Sequence, residues 1–435
     1  MNQLPYHNDT MNREEAYPEV DRMEKSEKYA EYEKKHGAKT TRVYPFVWNY
    51  SKEAKGPFCK DIDGNIFLDF NSHVASSPLG YNHPKIKKSL NQIDINDPTK
   101  IAGQDFYATG DFPGPAELQE KILETTEKFG MNKVFLVNSG AEAVENAIKI
   151  SYNHSGTKGI CFNGSFHGRT LGALSLTTSK PKYRKAFPNV PGIEQTPFCT
   201  CGEKQNGECK CGAIEELEKT VRETEDLSYI ITEPIQGEGG YRIPSKEFMK
   251  KLGEVTKENN IKLISDEIQA GLGRTGKFWA IEHYGIEPDI ITAAKGLRVG
   301  ATISKEEIFP KEKARISSTW GGGDILSSFT SIKTLQVIEE EKLVENASEK
   351  GKYILKKLDK INHPDIQEVR GKGLMDAVEF KKKEKRDKFV EKSFKNGLII
   401  LGCGEKTARL LPPLDVTKRE INIALEIIEN TLNQI

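Results

Sequence analysis

The chain carries no excess of charge: 64 Lys+Arg stand against 64 Asp+Glu over 435 residues. Without a basic field nothing steers it to nucleic acid, and no nucleic-acid partner is expected. It also lacks long apolar runs. None approaches the roughly 20 residues that a membrane span requires, so no membrane partner is expected either. Cysteine is sparse at 7 residues, too few for a disulfide framework, and fits reduced thiols in a cytoplasmic protein. The first twenty residues show no basic-then-apolar order, so no secretory signal is expected. The hydrophobic fraction of 36% suffices for a core, and the length suits one large domain with a smaller partner.

The rest of the chain is organised around residues 261–295. The apolar run Ile261-Lys262-Leu263-Ile264 reads as a buried strand and leads into Ser265-Asp266-Glu267-Ile268-Gln269. A second run, Ile290-Ile291-Thr292-Ala293-Ala294, leads directly to Lys295. An acid thus stands at the end of one strand and a lysine at the end of another, where ligands sit in open α/β sheets. That pair suits a pyridoxal phosphate site, with an amine for a Schiff base and a carboxylate for the pyridine nitrogen. Burial and positive neighbours can lower a lysine pKa enough to free its amine. Taken singly, each has an ordinary reading, the Asp as a turn or cap residue and the Lys as a surface residue.

Residues 11–36, rich in Glu, Lys and Arg, read as a solvated helix with one thin apolar stripe. Asp63-Gly64, between alternating apolar residues, is a hairpin signal, and 74–84 reads as a loop. From about 115 the pattern alternates: helix 115–128, strand 133–137, helix 141–153, strands 159–162 and 227–232, helix 245–259. This rhythm argues for a largely parallel sheet covered on both faces. From about 324 a long helix gives way to short strands near 368–369, 374–380 and 397–401, then a last helix over 418–432. The expected division is an N-terminal arm with part of a small domain (1–90), a large cofactor-binding domain (91–323) and a C-terminal small domain (324–435). The charge run 381–388 reads as a solvated loop.

Asn138-Ser139-Gly140-Ala141 joins a strand to a helix, and backbone N–H groups at a helix start make a phosphate site. Gly271-Leu272-Gly273-Arg274-Thr275-Gly276 matches G-x-G-x-x-G literally. It lacks the strand-turn-helix context a dinucleotide fold needs, so a close-packing active-site loop is expected instead. Cys199-x-Cys201 and Cys209-x-Cys211 offer four thiols for zinc or an iron–sulfur cluster. Their one-residue gaps are tighter than usual zinc spacing, the alternative is a solvent loop of reduced thiols, and no metal ligand is assigned to the active site.

These residues together carry a resemblance. The chain is similar to the class III, fold-type I, pyridoxal-phosphate-dependent aminotransferases over 58–414. The matching motifs are Asn-Ser-Gly-Ala-Glu-Ala at 138–143, Ser-Phe-His-Gly-Arg-Thr at 165–170, Glu-Pro-Ile-Gln-Gly-Glu-Gly-Gly at 233–240, Asp-Glu-Ile-Gln-Ala-Gly at 266–271, Lys295, and Arg-Leu-Leu-Pro-Pro-Leu at 409–414. Within the class it most resembles L-lysine 6-aminotransferases, through 74–84, through Ser-Thr-Trp-Gly-Gly at 318–322, and through the missing glycine run after Lys295. That segment reads Gly296-Leu297-Arg298-Val299-Gly300 and adds a charge without an assigned place. The cysteine loop is closer to some 4-aminobutyrate enzymes.

The resemblance implies an α/β fold, a mostly parallel seven-stranded-type sheet between helices plus a smaller α+β domain. It implies that Lys295 forms the Schiff base with pyridoxal 5′-phosphate and carries the proton. Asp266 pairs with the pyridine nitrogen, Gln269 contacts the ring hydroxyl and Phe166 stacks on the ring. Ser139, Gly140 and Ala141 cradle the phosphate with Thr319 of the other subunit of a homodimer, and Glu233 completes the cofactor set. Arg169 binds the donor's distant carboxylate. Arg409 receives the acceptor's, and Glu238 masks Arg409 while an ω-amine is bound. The implied reaction moves the ω-amine of an amino acid such as L-lysine to 2-oxoglutarate, giving a semialdehyde and glutamate. 4-Aminobutyrate or ornithine as donor, or a racemase of the same fold, are the alternatives.

Overall fold

The structure, a computed structural model, describes residues 11–38, 46–49, 54–93, 113–202, 207–317, 322 and 324–435. In chain order its strands are β1 (Phe58–Lys60), β2 (Ile66–Asp69), β3 (Lys133–Val137), β4 (Lys158–Phe162), β5 (Ile193–Thr196), β6 (Leu227–Thr232), β7 (Lys262–Asp266), β8 (Ile290–Ala293), β9 (Gly300–Ser304), β10 (Ile366–Lys372), β11 (Met375–Phe380), β12 (Leu398–Ile399), β13 (Leu401–Cys403) and β14 (Thr407–Leu410).

Seven of these form one sheet in the order β3-β9-β8-β7-β6-β4-β5. Within it β9 pairs antiparallel with both its neighbours, and every other pairing is parallel. Successive residues along a strand point to opposite faces. Ile230, Leu263 and Ile291 pack into one core cluster, while Ile231, Ile264 and Ile290 pack into another across the sheet. Both faces are therefore dry, which is why these strands read as continuous apolar runs rather than alternating ones. Helices Pro115–Glu124, Ala213–Glu223 and Lys246–Glu258 cover the first face through Leu118, Leu217 and Phe248. Helix Gly140–His154 covers the second through Val144 and Ala147.

A separate core joins the two ends of the chain. Phe58, Leu68 and Phe70 pack with Val337, Phe389 and Leu410. Strand β2 pairs antiparallel with β1 and parallel with β12, and β10-β11-β14-β13 form an antiparallel sheet.

Some segments depart from expectation. Helix begins only at Glu24 and runs to His36; before it, Glu19 bridges Ile66, and Pro18, lacking an N–H donor, disfavours earlier helix. The Asp63-Gly64 connection spans the five residues between the paired Lys60 and Ile66; Asp61 Oδ1 accepts from the backbone N–H of both Asp63 and Asn65 at 2.9 Å. The 381–388 charge run opens a helix, Lys383–Lys395. Its lysines face water, but Arg386, Phe389, Val390, Ser393 and Phe394 are buried, an apolar stripe lying mostly beyond the run itself.

Candidate active site

The carboxyl ends of the parallel strands converge on one cavity of about 1490 Å³. Strand β3 delivers Asn138 and Ser139 and β4 leads to Phe166 and His167. Strand β6 ends against Glu233, β7 ends in Asp266, and β8 leads to Lys295. Strand β9 runs the other way, so its start contributes Arg298 and Val299 to the same rim. Gly300 has no room for a side chain, since a Cβ there would lie 2.3 Å from the Ser139 carbonyl oxygen.

Ser139 caps helix Gly140–His154, its side chain accepting from the Glu142 N–H at 3.3 Å. Gly140 and Ala141, whose N–H groups precede the first intrahelical bonds, line the cavity. Asp266 is buried, and its Oδ2 lies 2.7 Å from His167 Nδ1, also buried. The Ile268 N–H donates to the other carboxylate oxygen at 3.1 Å. Two donors thus fix this carboxylate where desolvation would otherwise penalise its charge. His167 Nε2 has no partner among the described residues.

Lys295 follows β8 with φ of +50°, a left-handed conformation that costs a non-glycine residue about 1–3 kcal/mol and clusters at functional sites. Burial, then the nearby Arg409 charge, pulls its amine down to about 8, against the opposing pull of Asp266, Glu238 and Glu233. Burial pushes the Glu233 carboxyl up to about 7, while its oxygens accept from the Phe166 N–H at 2.9 Å and the Gly237 N–H at 3.0 Å. Gln269 Oε1 accepts from the Tyr241 hydroxyl at 3.2 Å.

The charged end of the cavity is built across both parts of the molecule. Arg409, buried on β14, places Nη1 3.2 Å from Glu238 Oε2. Glu238 Oε1 accepts from Lys180 Nζ and, at 3.1 Å, from the Tyr183 hydroxyl. Burial would raise this carboxyl, but Arg409 and Lys180 outweigh it and hold it below its ordinary range. The Gly404 N–H donates to the Glu238 carbonyl at 2.7 Å, tying the loop to the strand pair that carries Arg409. Arg169 is exposed at the rim, its guanidinium 4.9 Å from the Tyr183 ring centroid and 5.8 Å from that of Phe166.

The structure therefore brings Ser139, Gly140, Ala141, Phe166, Arg169, Glu233, Glu238, Asp266, Gln269, Lys295 and Arg409 to one cavity, while Thr319 lies outside the described residues. Arg298, whose charge had no assigned place, lines it too. Sequence reasoning gave no role to His167, Lys180 or Tyr183. His167 sits inside the Ser-Phe-His-Gly-Arg-Thr motif at 165–170, a signal for a site residue; Lys180 and Tyr183 carry none in spacing or periodicity. The Gly271–Gly276 turn packs closely as expected but does not line the cavity. Its buried Arg274 donates to the Leu374 and Pro412 carbonyls, joining the large sheet's loops to the C-terminal segments. Glu267, beside Asp266, accepts from the N–H groups of Ala280 and Ile281 at 2.8 Å and orients that turn of helix.

Comparison with known proteins agrees with this geometry. The family model Aminotransferase class-III matches residues 40–432. The chain is 36% identical over 415 residues to an acetylornithine aminotransferase of Archaeoglobus fulgidus, covering 92% of this chain and 100% of the relative. It is 34% identical to an ornithine aminotransferase of an Exiguobacterium species, covering 94% and 98%. Among solved structures, the lysine aminotransferase from M. tuberculosis superposes with a TM-score of 0.84 at 28% identity, covering 93% of this chain and 98% of that one.

Proposed function

The chain belongs to the class III aminotransferases, and from that premise we propose that it moves the distal amine of an ω-amino acid to 2-oxoglutarate. L-Lysine is the proposed donor and ornithine the second candidate, the latter favoured by the ornithine aminotransferase among the relatives. The observation that carries the ω-amine reading is Glu238 lying between two cations, Arg409 at 3.2 Å and Lys180.

The family's cofactor is pyridoxal 5′-phosphate, and the residues present fit it. A buried amine with a lowered pKa, a fixed carboxylate and the start of a helix share one cavity. In the proposed roles Ser139, Gly140 and Ala141 hold the phosphate with Thr319 of a second subunit, Phe166 packs on the ring, and Gln269 and Glu233 complete the contacts. When bound, the cofactor supplies the electron sink that makes a carbon–hydrogen bond next to the amine acidic. The protein supplies the rest. Lys295 Nζ, about half neutral near pH 8, is the covalent anchor and then the proton carrier. Asp266, braced by His167, pairs with the ring nitrogen.

Selection between substrates follows from charge. With Arg409 paired to Glu238, Arg169 at the rim takes the carboxylate of an incoming donor, which places the distal amine nearest Lys295. An acceptor with two carboxylates displaces Glu238 and takes Arg409 by a bidentate contact. The displaced Glu238 still has Lys180 and Tyr183, so opening does not strand a buried charge.

The test is a donor panel with 2-oxoglutarate, comprising L-lysine, L-ornithine, N-acetyl-L-ornithine and 4-aminobutyrate, with identification of the carbonyl product. A semialdehyde with stoichiometric glutamate supports the reading. An α-keto acid made from the donor, or inversion of the donor without any acceptor, overturns it.

A further inference from the structure

The two Cys-x-Cys pairs meet. Cys199, Cys201, Cys209 and Cys211 are all free thiols, and their four sulfur atoms lie within 4.8 Å of one another, with Cys209 Sγ and Cys211 Sγ 3.6 Å apart. A zinc ion bound by four thiolates at about 2.3 Å sets the edges of its tetrahedron at roughly 3.8 Å. The four sulfurs thus stand close to the size of a one-ion site. An iron–sulfur cluster interposes several irons and bridging sulfides and holds its cysteines further apart.

The surroundings are those of a built site. Cys199 is fully buried among Phe198, Ala213, Leu217 and Phe248. Backbone donors point at the sulfurs: the Ser245 N–H at 3.4 Å from Cys199 Sγ and the Lys210 N–H at 3.3 Å from Cys201 Sγ. Such N–H···S contacts orient thiolate ligands and spread their charge. None of the four lines the active-site cavity. They join the end of β5, the last strand of the large sheet, to the start of helix Ala213–Glu223 and to Ser245, the cap of helix Lys246–Glu258.

We propose that Cys199, Cys201, Cys209 and Cys211 bind one Zn²⁺ in a closed four-thiolate site that clamps the β5 edge of the sheet to these two helices. All four ligands are protein sulfurs and no coordination position is left open, so the ion is structural. It stands apart from transamination, and its test does not depend on which donor the enzyme uses.

The holoenzyme, exhaustively dialysed, is assayed for metal and for thiol reactivity. One zinc per chain is expected, released in step with titration of the thiols by a mercurial reagent. Reconstitution of the stripped protein with Co²⁺ should give the intense d–d bands of tetrahedral cobalt with thiolate charge transfer. The paired substitution Cys201→Ser and Cys211→Ser, at the less buried ligands, should abolish zinc retention and lower Tm by several degrees. The Schiff-base absorbance that depends on Lys295 should survive it. Zinc at unchanged stoichiometry in that variant, four freely reactive thiols in metal-free native protein, or the absorbance of an iron–sulfur cluster would each overturn the proposal.

Discussion

A lysine amine must be neutral to attack a carbonyl, and at Lys295 burial does most of what is required, bringing it to about 8. The neutral fraction in cofactor-free protein therefore grows as pH rises through 8. The rate of covalent cofactor capture, followed by Schiff-base absorbance, should increase between pH 7 and 9 and level off above; a rate flat across that range contradicts the assignment. Lys295→Ala should abolish that absorbance and reduce turnover by several orders of magnitude. At the other end of the cavity, Glu238→Ala exposes Arg409 to α-carboxylates. The ratio of α- to ω-donor kcat/KM should rise roughly tenfold or more, the scale of a single charged contact, and an unchanged ratio contradicts the masking role. Lys180→Met tests the same switch from the opposite side. Without its second cation, Glu238 should hold Arg409 more tightly, raising the KM for 2-oxoglutarate several-fold and leaving that for the donor nearly unchanged. Of these side chains, Lys295 and Asp266 were legible from their places after apolar strands, and Glu238 and Arg409 only through the motifs that carry the family resemblance. Lys180 was not, since its contact with Glu238 joins residues 58 apart that no local pattern links.

At the scale of elements, the site depends on how closely β9 approaches the helix start at Ser139. Gly300→Ala places a methyl group against the Ser139 carbonyl, and the strand or the turn must move. A loss of roughly 1–3 kcal/mol is expected, with weaker cofactor binding, because the turn that shifts is the one proposed to hold the phosphate. Thermal unfolding and cofactor titration measure both, and a variant with unchanged Tm and affinity contradicts the close approach. The strands that carry the site were readable for a physical reason: burial on both faces makes the middle of β7 (Leu263, Ile264) and the start of β8 (Ile290, Ile291) apolar, and Asp266 and Lys295 then stand at or just beyond their ends. Helix Lys383–Lys395 was not, because its charged first turns hide a buried face that only Phe389, Val390 and Phe394 announce. The glycine-rich turn at 271–276 was legible as a packing device. Its anchoring of Arg274 on Leu374 and Pro412 was not, since the partners lie 100 and 138 residues further along the chain.

At the scale of the molecule, strands from both ends of the chain share one sheet, β2 with β12, and one core. On that pairing we propose the division at 90/91 and 323/324, with the cavity between a large sheet that carries Lys295 and a smaller unit that carries Arg409. Leu171 and Phe187, more than half exposed, follow Arg169 and Tyr183 closely in sequence, and we propose this patch as the place where a second copy of the chain packs. The proposed phosphate contact of Thr319 from that copy can be isolated by complementation. Lys295→Ala removes chemistry from the subunit that bears it, whereas Thr319→Ala, if the contact crosses the interface, damages the site of its neighbour. In a hybrid of the two variants the site of the Lys295→Ala subunit also receives the Thr319→Ala substitution from its partner, so both defects fall on one site, while the other site combines an intact Lys295 with an intact Thr319 and is whole. Random reassortment of equal amounts makes half of the dimers hybrid, so activity should recover to about a quarter of wild type in a closed two-fold dimer. If Thr319 instead serves its own subunit, each hybrid site carries one defect. Mixing then restores nothing beyond the residual activity of the Thr319→Ala protein, and the shared-site reading fails.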